Sequence, residues 1–214
     1  MKKTIAIDGP AGAGKSTLAR LLAEHFGLER LDTGAMYRAV AWAALERGID
    51  PGDREAVADL ARGLPIELGD RVLVDGEDAT TEIRSAPVDA AVSVVAANPE
   101  VRRELVGRQR RWVEERGGGV VEGRDIGSVV LPDADLKVYL TASSDERARR
   151  RARERCDGRS VEEIARQIDR RDELDSNRST SPLPSPQEAA ADALIVESTG
   201  RSAEAVMEEV LRWL

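Results

Sequence analysis

The run Gly9-Pro10-Ala11-Gly12-Ala13-Gly14-Lys15-Ser16-Thr17 fits the spacing G-x-x-x-x-G-K-[ST] at every fixed position. Glycines at these places let the backbone curl so that several N–H groups face one concavity, a geometry that cradles an oxyanion. Lys15 supplies a charge that reaches β- and γ-phosphates, and the Ser16 hydroxyl is a ligand for Mg2+. The helix that must follow adds its positive N-terminal end. The chemistry is that of a nucleoside triphosphate held with Mg2+. A chance glycine turn between a strand and a helix is the competing reading, and the apolar TIAID before the run and the amphipathic segment after it argue against that.

A second constellation is Asp32-Thr33-Gly34-Ala35-Met36-Tyr37-Arg38. Thr33, Tyr37 and Arg38 offer two hydroxyls and a guanidinium fork at helical spacing, so they share a face. A solvated helix start would read the same way. A third is arginine density: residues 145–178 hold eleven arginines with ten acids. Near-balance makes most of them an ion-paired helix surface, and the remainder are free to close over phosphates. Transfer between two phosphates needs positioning and cationic stabilisation more than proton abstraction. An acceptor phosphate, with a second pKa near ~6, is already ionised at neutral pH. That suits a chain with one histidine, His25, on the apolar side of the first helical pattern and read as a packing or surface residue. Cys156, the single cysteine, excludes an internal disulfide and is read as inert. No N-K-x-D segment is present to read guanine, which favours a small-molecule kinase over a switch.

The elements that must position these groups follow from periodicity. A strand over 4–8 leads into the glycine loop, and Leu18, Leu21, Leu22 and Phe26 give a helix that Gly27 stops. A short strand near 29–31 leads into a helix from the Asp32 region to near Gly48, and Asp53 caps a third. Ile66 and Leu68, then Val72 and Val74, alternate about Gly69-Asp70, which predicts an antiparallel hairpin. Pro87 opens a helix, and Asn98-Pro99 reads as the cap and first position of a longer one ended by Gly117-Gly118-Gly119. Val120-Val121 enters a second glycine loop, Gly123-Arg124-Asp125-Ile126-Gly127. Lys137–Leu140 is a strand, Ser144 starts the arginine-rich helix, and Ser160 with Glu163 forms a capping box. Residues 179–186 read as a Pro/Ser loop, before a last strand at Ala193–Val196 and a last helix over 202–213. Strands alternating with helices predict a doubly wound parallel sheet with a small antiparallel insert.

The chain has 214 residues, a net charge of −8, 34% charged residues and only 3% aromatics, so the core must be Leu, Val, Ile and Ala. The charge argues against a general nucleic-acid binder. No apolar run approaches the ~18 residues of a membrane helix, and the three apolar residues before Asp8 are too few for a secretory segment. The expectation is a cytoplasmic monomer. Of 32 basic residues only Lys2, Lys3, Lys15 and Lys137 are lysines. Arginine is the better fork for phosphate oxygens.

Over essentially its whole length the chain resembles the bacterial cytidylate kinases, which are ATP-dependent nucleoside monophosphate kinases. The matching segments are IDGPAGAGKST (7–17), LDTGAMYR (31–38), DATTEIR (78–84), NPEVRREL (98–105), EGRDIGSVVLPDA (122–134) and RRDELDSNRSTSPL (170–183). The resemblance implies one P-loop kinase domain over 1–214, with its core at 1–31, 117–145 and 186–214. It implies a monophosphate-binding part at 32–116, whose family insert is the hairpin-bearing stretch at about 63–98, and a lid with its following helix at 146–185. It implies ATP with Mg2+ on Gly9 through Thr17, and phosphorylation of CMP and dCMP in pyrimidine nucleotide metabolism. Thr33, Tyr37, Arg38 and Arg84 are then expected at the CMP phosphate and ribose, and Ser93, Arg102 and Asp125 at cytosine. Arg171, Asp175 and Arg178 are expected at the acceptor, with Lys15, Arg124, Arg171 and Arg178 as the catalytic cations. An acid that accepts from the cytosine amino group would face an oxygen in uracil, a mismatch of about 2–4 kcal/mol. Asp125 as an ion-pair partner of a lid arginine, and Ser93 as a packing residue, are the competing readings. Another acceptor, such as UMP or a small metabolite, and a nucleotide-binding regulator without an acceptor, are the alternative functions. Thr33 stands where the family more often has serine, and Leu174 and Ser176 stand where relatives can carry arginine.

Overall fold

In a computed structural model, residues 3–155, 160–177, 182–189 and 191–213 are described. The chain forms two compact units, residues 1–30 with 113–214, and residues 31–112.

The first unit is built on a parallel sheet. Its strands are β1 (Thr4–Asp8), β2 (Arg30–Asp32, through which the chain leaves the unit), β6 (Gly119–Glu122), β7 (Leu136–Thr141) and β8 (Leu194–Glu197), in the order β2-β6-β1-β7-β8. Ile5 and Ile7 of β1 point to one face, where Val120, Val138, Leu140 and Val196 join them. That face is covered by α1 (Lys15–Phe26) through Leu18 and Leu22 and by α9 (Ala203–Leu211) through Val206 and Val210. Period 2 in the strands meets period 3.6 in the helices to give one aliphatic core, as the scarcity of aromatics requires. Gly27 takes a left-handed φ of 61° and ends α1. α6 (Ser144–Arg155) and α7 (Val161–Asn177) pack on each other through Ala148, Ile164 and Ile168. Ser160 and Glu163 cap α7 reciprocally, at 2.9 and 3.2 Å. α6 starts at Ser144 as expected, and Ser143 caps it, its Oγ accepting from the Glu146 N–H. At the end of the Pro/Ser stretch begins a turn of helix, α8 (Pro186–Ala189), opened by a second capping box of Ser185 and Glu188.

The second unit centres on α2 (Thr33–Glu46), with eleven buried residues, which makes it a core helix rather than a surface one. Around it lie α3 (Arg54–Gly63), α4 (Ala86–Ala96) and a 3₁₀ turn, Glu82–Arg84. α5 (Pro99–Arg116) leads back out. Asp32 caps α2 and Asp53 caps α3, each accepting from the N–H three residues on at 3.1 Å. The expected hairpin is β3 (Ile66–Leu68) against β4 (Val72–Val74), and a third strand, β5 (Glu77–Asp78), extends it antiparallel. The β4–β5 turn is Asp75-Gly76, with φ of 53° and 80°. Two consecutive left-handed residues are what a type I′ hairpin demands.

Candidate active site

The phosphate loop joins β1 to α1. Gly9 has φ 141°, and a Cβ there would lie 2.0 Å from the Leu140 carbonyl oxygen, so no other residue fits. Gly12 and Gly14 also take positive φ, 77° and 97°. The loop's carbonyls are tied down one by one. Gly9 O accepts from Lys15 Nζ at 2.8 Å and from Arg124 at 3.3 Å. Pro10 O accepts from Lys15 Nζ at 2.9 Å, Ala11 O from Arg147 at 3.2 Å, and Ala13 O from Arg150 at 3.1 Å and Ser198 Oγ at 2.9 Å. Ser16 Oγ donates to Glu122 Oε2 at 2.8 Å, and Thr17 is exposed. Glu122 is buried at the end of β6.

Lys15 sits among cations. Burial, and then Arg124, lower its pKa from 10.5 to about 7; Glu122 raises it in part, and Arg151 and Arg171 lower it further. A cluster of like charges is unfavourable by itself and favours a strongly anionic ligand. From α7, Asp172 accepts from the Ala11 N–H at 3.4 Å, from Arg124 at 3.3 Å, and from Arg147. Asp175, one turn on, is 2.9 Å from Arg124 Nη2 and 3.9 Å from Arg171 Nε. Lys15, Arg124, Arg171 and Asp175 are thus brought to one place. Arg178 and Cys156 lie outside the described residues.

The second glycine loop continues from β6. Gly123 N–H donates to Ile7 O at 2.9 Å. Asp125 is buried, and its carbonyl accepts from Val129 and Val130, forming a π-turn over Ile126–Val130. The Asp8 carboxylate receives the next two N–H groups, Ile126 at 2.6 Å and Gly127 at 2.7 Å.

In the second unit Thr33, Tyr37, Arg38 and Arg102 are all buried, so the start of α2 is not a solvated one. Arg38 donates to Ile83 O at 2.9 Å and to Asp89 Oδ1 at 2.6 Å. Arg102 lies over the Tyr37 ring, 5.8 Å from its centroid. Arg84 is mostly exposed and 3.6 Å from Asp32 Oδ2. Ser93 is half-buried on α4. Sequence reasoning did not single out Asp8, Glu122, Arg147, Arg150, Asp172 or Ser198. The two acids had a signal, since each ends an apolar strand just before a glycine loop. Arg147, Arg150 and Ser198 act on backbone carbonyls, and Asp172 on a backbone N–H and two arginines, contacts that leave no pattern. His25 is exposed at the end of α1, its ring edge-on to Phe26 at 4.7 Å.

The fold and the loop together define a phosphate-loop α/β protein. An uncharacterized protein from Eubacterium ventriosum shares the fold at 12% identity and a TM-score of 0.59, over 100% of this chain and 98% of that one. An unliganded sugar kinase from Janibacter sp. shares it at 14% identity and 0.51, over 100% and 94%. The cytidylate kinase family model matches residues 5–214. Cytidylate kinases from Symbiobacterium thermophilum (48% identical, 97% of this chain and 94% of the relative) and Desulfitobacterium hafniense (49%, 99% and 93%) align along the chain. The chain belongs to the cytidylate kinase family.

Proposed function

We infer that the protein transfers the γ-phosphoryl group of ATP to the phosphate of CMP or dCMP, giving ADP and the corresponding diphosphate. Family membership supports the acceptor class. The observation that carries the chemistry is the cationic cluster of Lys15, Arg124, Arg151 and Arg171 at the phosphate loop. The loop N–H groups and Lys15 hold the donor phosphates. Arg124, with Arg171 and Arg178, neutralises the transferred group, whose charge spreads over its equatorial oxygens. Asp175 stands with Arg124 and Arg171 and is assigned to the acceptor sugar. Asp125 is assigned to the cytosine amino group. In the second unit, Thr33, Tyr37, Arg38 and Arg84 are assigned to the monophosphate and its ribose, and Ser93 and Arg102 to the base. Arg38 already pairs with Asp89, so its role there is to fix the α2–α4 packing as well. Residues 32–116 are then the monophosphate-binding part and 146–185 the lid with its helix.

Ser16 and Glu122 present a hydroxyl and a carboxylate 2.8 Å apart, both hard oxygen donors of the kind Mg2+ takes. When bound there with the triphosphate, Mg2+ supplies charge neutralisation at the phosphate oxygens. No side chain need remove a proton, since the acceptor oxygen is ionised at neutral pH. Among the described residues no helix is long and apolar enough to cross a membrane. The acidic balance fits small-molecule substrates rather than nucleic acid, and a monomer suffices for the residues named.

The test is an ADP-release assay with ATP and Mg2+ across a panel of nucleoside monophosphates. CMP and dCMP are expected to be the best acceptors. Lys15→Ala is expected to lower turnover by about 100-fold or more with the fold intact by circular dichroism. Acceptor-independent hydrolysis alone, or a folded Lys15→Ala variant of wild-type turnover, would refute the assignment.

A further inference from the structure

Directly behind the phosphate loop lies a buried carboxylate that the transfer itself does not use. Asp8 is the last residue of β1, directly before the phosphate loop, and is 7% exposed. Among the described residues no cation lies within hydrogen-bond range of its carboxylate. It accepts from two consecutive backbone N–H groups of the other glycine loop, Ile126 and Gly127, one on each oxygen. Burial outweighs these bonds, and the carboxyl is pushed up from 3.8 to about 6, with Asp125 adding a smaller repulsion and Lys15 a smaller attraction. A turn that needed only a cap would be served by a neutral acceptor. A buried carboxylate held against its own preference is a mark of a functional site.

The two N–H groups that it holds follow Asp125 directly. Asp125 has φ −149° and ψ 32°, outside the regular wells. On one side, Gly123 is hydrogen-bonded to Ile7 O. On the other, Ile126 and Gly127 are held by Asp8, and the Asp125 carbonyl is engaged by Val129 and Val130. The backbone of Asp125 is therefore bracketed by the last two residues of β1. Turns closed by i→i+5 hydrogen bonds recur at functional sites. The loop is also tight at Gly127, where a Cβ would lie 3.2 Å from Lys137 Cγ and Cδ and 3.4 Å from Asp8 Oδ2.

We propose that Asp8 is a positioning residue for base selection: by clamping the Ile126 and Gly127 N–H groups it fixes the direction of the Asp125 carboxylate. The proposal rests on the reading of Asp125 as the group that accepts from the cytosine amino group. It assigns Asp8 no contact with either substrate. It also makes one strand end serve two loops, since Gly9 starts the donor loop from the same residue whose side chain sets the base-reading loop.

The test compares kcat and KM for CMP and UMP in wild type, Asp8→Asn, Asp125→Asn and the double variant. Asparagine has the shape of aspartate but only one acceptor oxygen, so one of the two N–H groups faces a donor. Asp8→Asn is expected to raise the CMP KM about tenfold and lower the CMP:UMP preference about tenfold, with kcat and the ATP KM within about threefold. In the background of Asp125→Asn, adding Asp8→Asn is expected to change that preference less than about twofold, because the aimed group is gone. An unchanged preference in Asp8→Asn, an effect confined to ATP KM, or additive effects in the double variant would each overturn the proposal. Asp8→Ser, which keeps one acceptor and also removes the buried charge, carries the same expectation if Asp8→Asn does not fold. A wild type that discriminates CMP from UMP while Asp8→Asn matches it sinks this proposal alone. A wild type that phosphorylates neither sinks it together with the proposed function.

Discussion

Lys15 makes a sharp prediction because its environment opposes its charge. In the folded protein its pKa is down from 10.5 to about 7, through burial first and Arg124 second. A lysine with a depressed pKa loses its proton in the free protein as pH rises through about 7, and folding is correspondingly favoured as pH rises from about 7 to about 10.5. The triphosphate reverses the balance, since its charge lies against the ammonium and draws the proton back. At pH 8 the free site is about one-tenth protonated, so ATP binding takes up about 0.9 proton; at pH 6 the uptake is about 0.1. Between pH 7 and 9, where the triphosphate stays fully ionised, affinity falls about fiftyfold from this group. Calorimetry of ATP binding at pH 8, in buffers of differing ionisation enthalpy, reads the uptake as a slope. Lys15→Arg keeps the positive charge at all these pH values, and its slope is expected near zero. A wild-type slope near zero, or an equal slope in Lys15→Arg, would show that burial and neighbouring arginines do not govern this charge.

Two further outcomes follow from packing. Gln109 on α5 is 1% exposed and neither its amide nitrogen nor its oxygen has a partner among the described residues. Gln109→Leu is therefore expected to stabilise the fold by about 1–2 kcal/mol, read as a higher urea midpoint at constant slope; a lower midpoint contradicts it. Arg150 holds Ala13 O and both the hydroxyl and carbonyl oxygens of Ser198. Arg150→Ala is expected to raise the ATP KM about tenfold and leave the CMP KM unchanged, measured by initial rates with each substrate varied.

Much of this is legible in the sequence. The phosphate loop, the caps at Asp53 and Ser160, and the hairpin of β3 and β4 are local rules, written in residues close together in the chain. β5 was missed, although Asp75-Gly76 is a strong hairpin signal, because Glu77 and Asp78 carry no apolar alternation. α8 begins at the last residue of the Pro/Ser loop and went unread, although Ser185 and Glu188 repeat the capping spacing of Ser160 and Glu163. The site was legible in its residue types and less so in its partners. Arg38 looked like a free phosphate fork and is engaged by Asp89, fifty-one residues away. Asp8 and Glu122 were visible as acids at strand ends, but their partners come from across the sheet, in the β6 loop and α1. Periodicity reports which face a residue is on; it does not report what the face meets.

The arginines show the same limit and also its resolution. Near-balance of charge marked residues 145–178 as mostly solvated surface, and Arg149, 58% exposed at the side chain, fits that reading. Arg147 and Arg150 do not, for they turn inward onto the carbonyls of Ala11 and Ala13. A peptide plane whose C=O is fixed on one side has its N–H fixed on the other. Tying Pro10, Ala11 and Ala13 by their oxygens therefore sets the direction of the Ala11, Gly12 and Gly14 N–H groups before any phosphate arrives. Donors set in advance need no reorganisation when charge develops on the transferred group, which is where electrostatic catalysis gains most. The guanidinium groups of α6 thus brace the loop from behind, through its backbone. Asp172 joins them to Arg124 in front and keeps a carboxylate on the Ala11 N–H itself. A phosphate seated on the Ala11 N–H would compete with that carboxylate for the same donor.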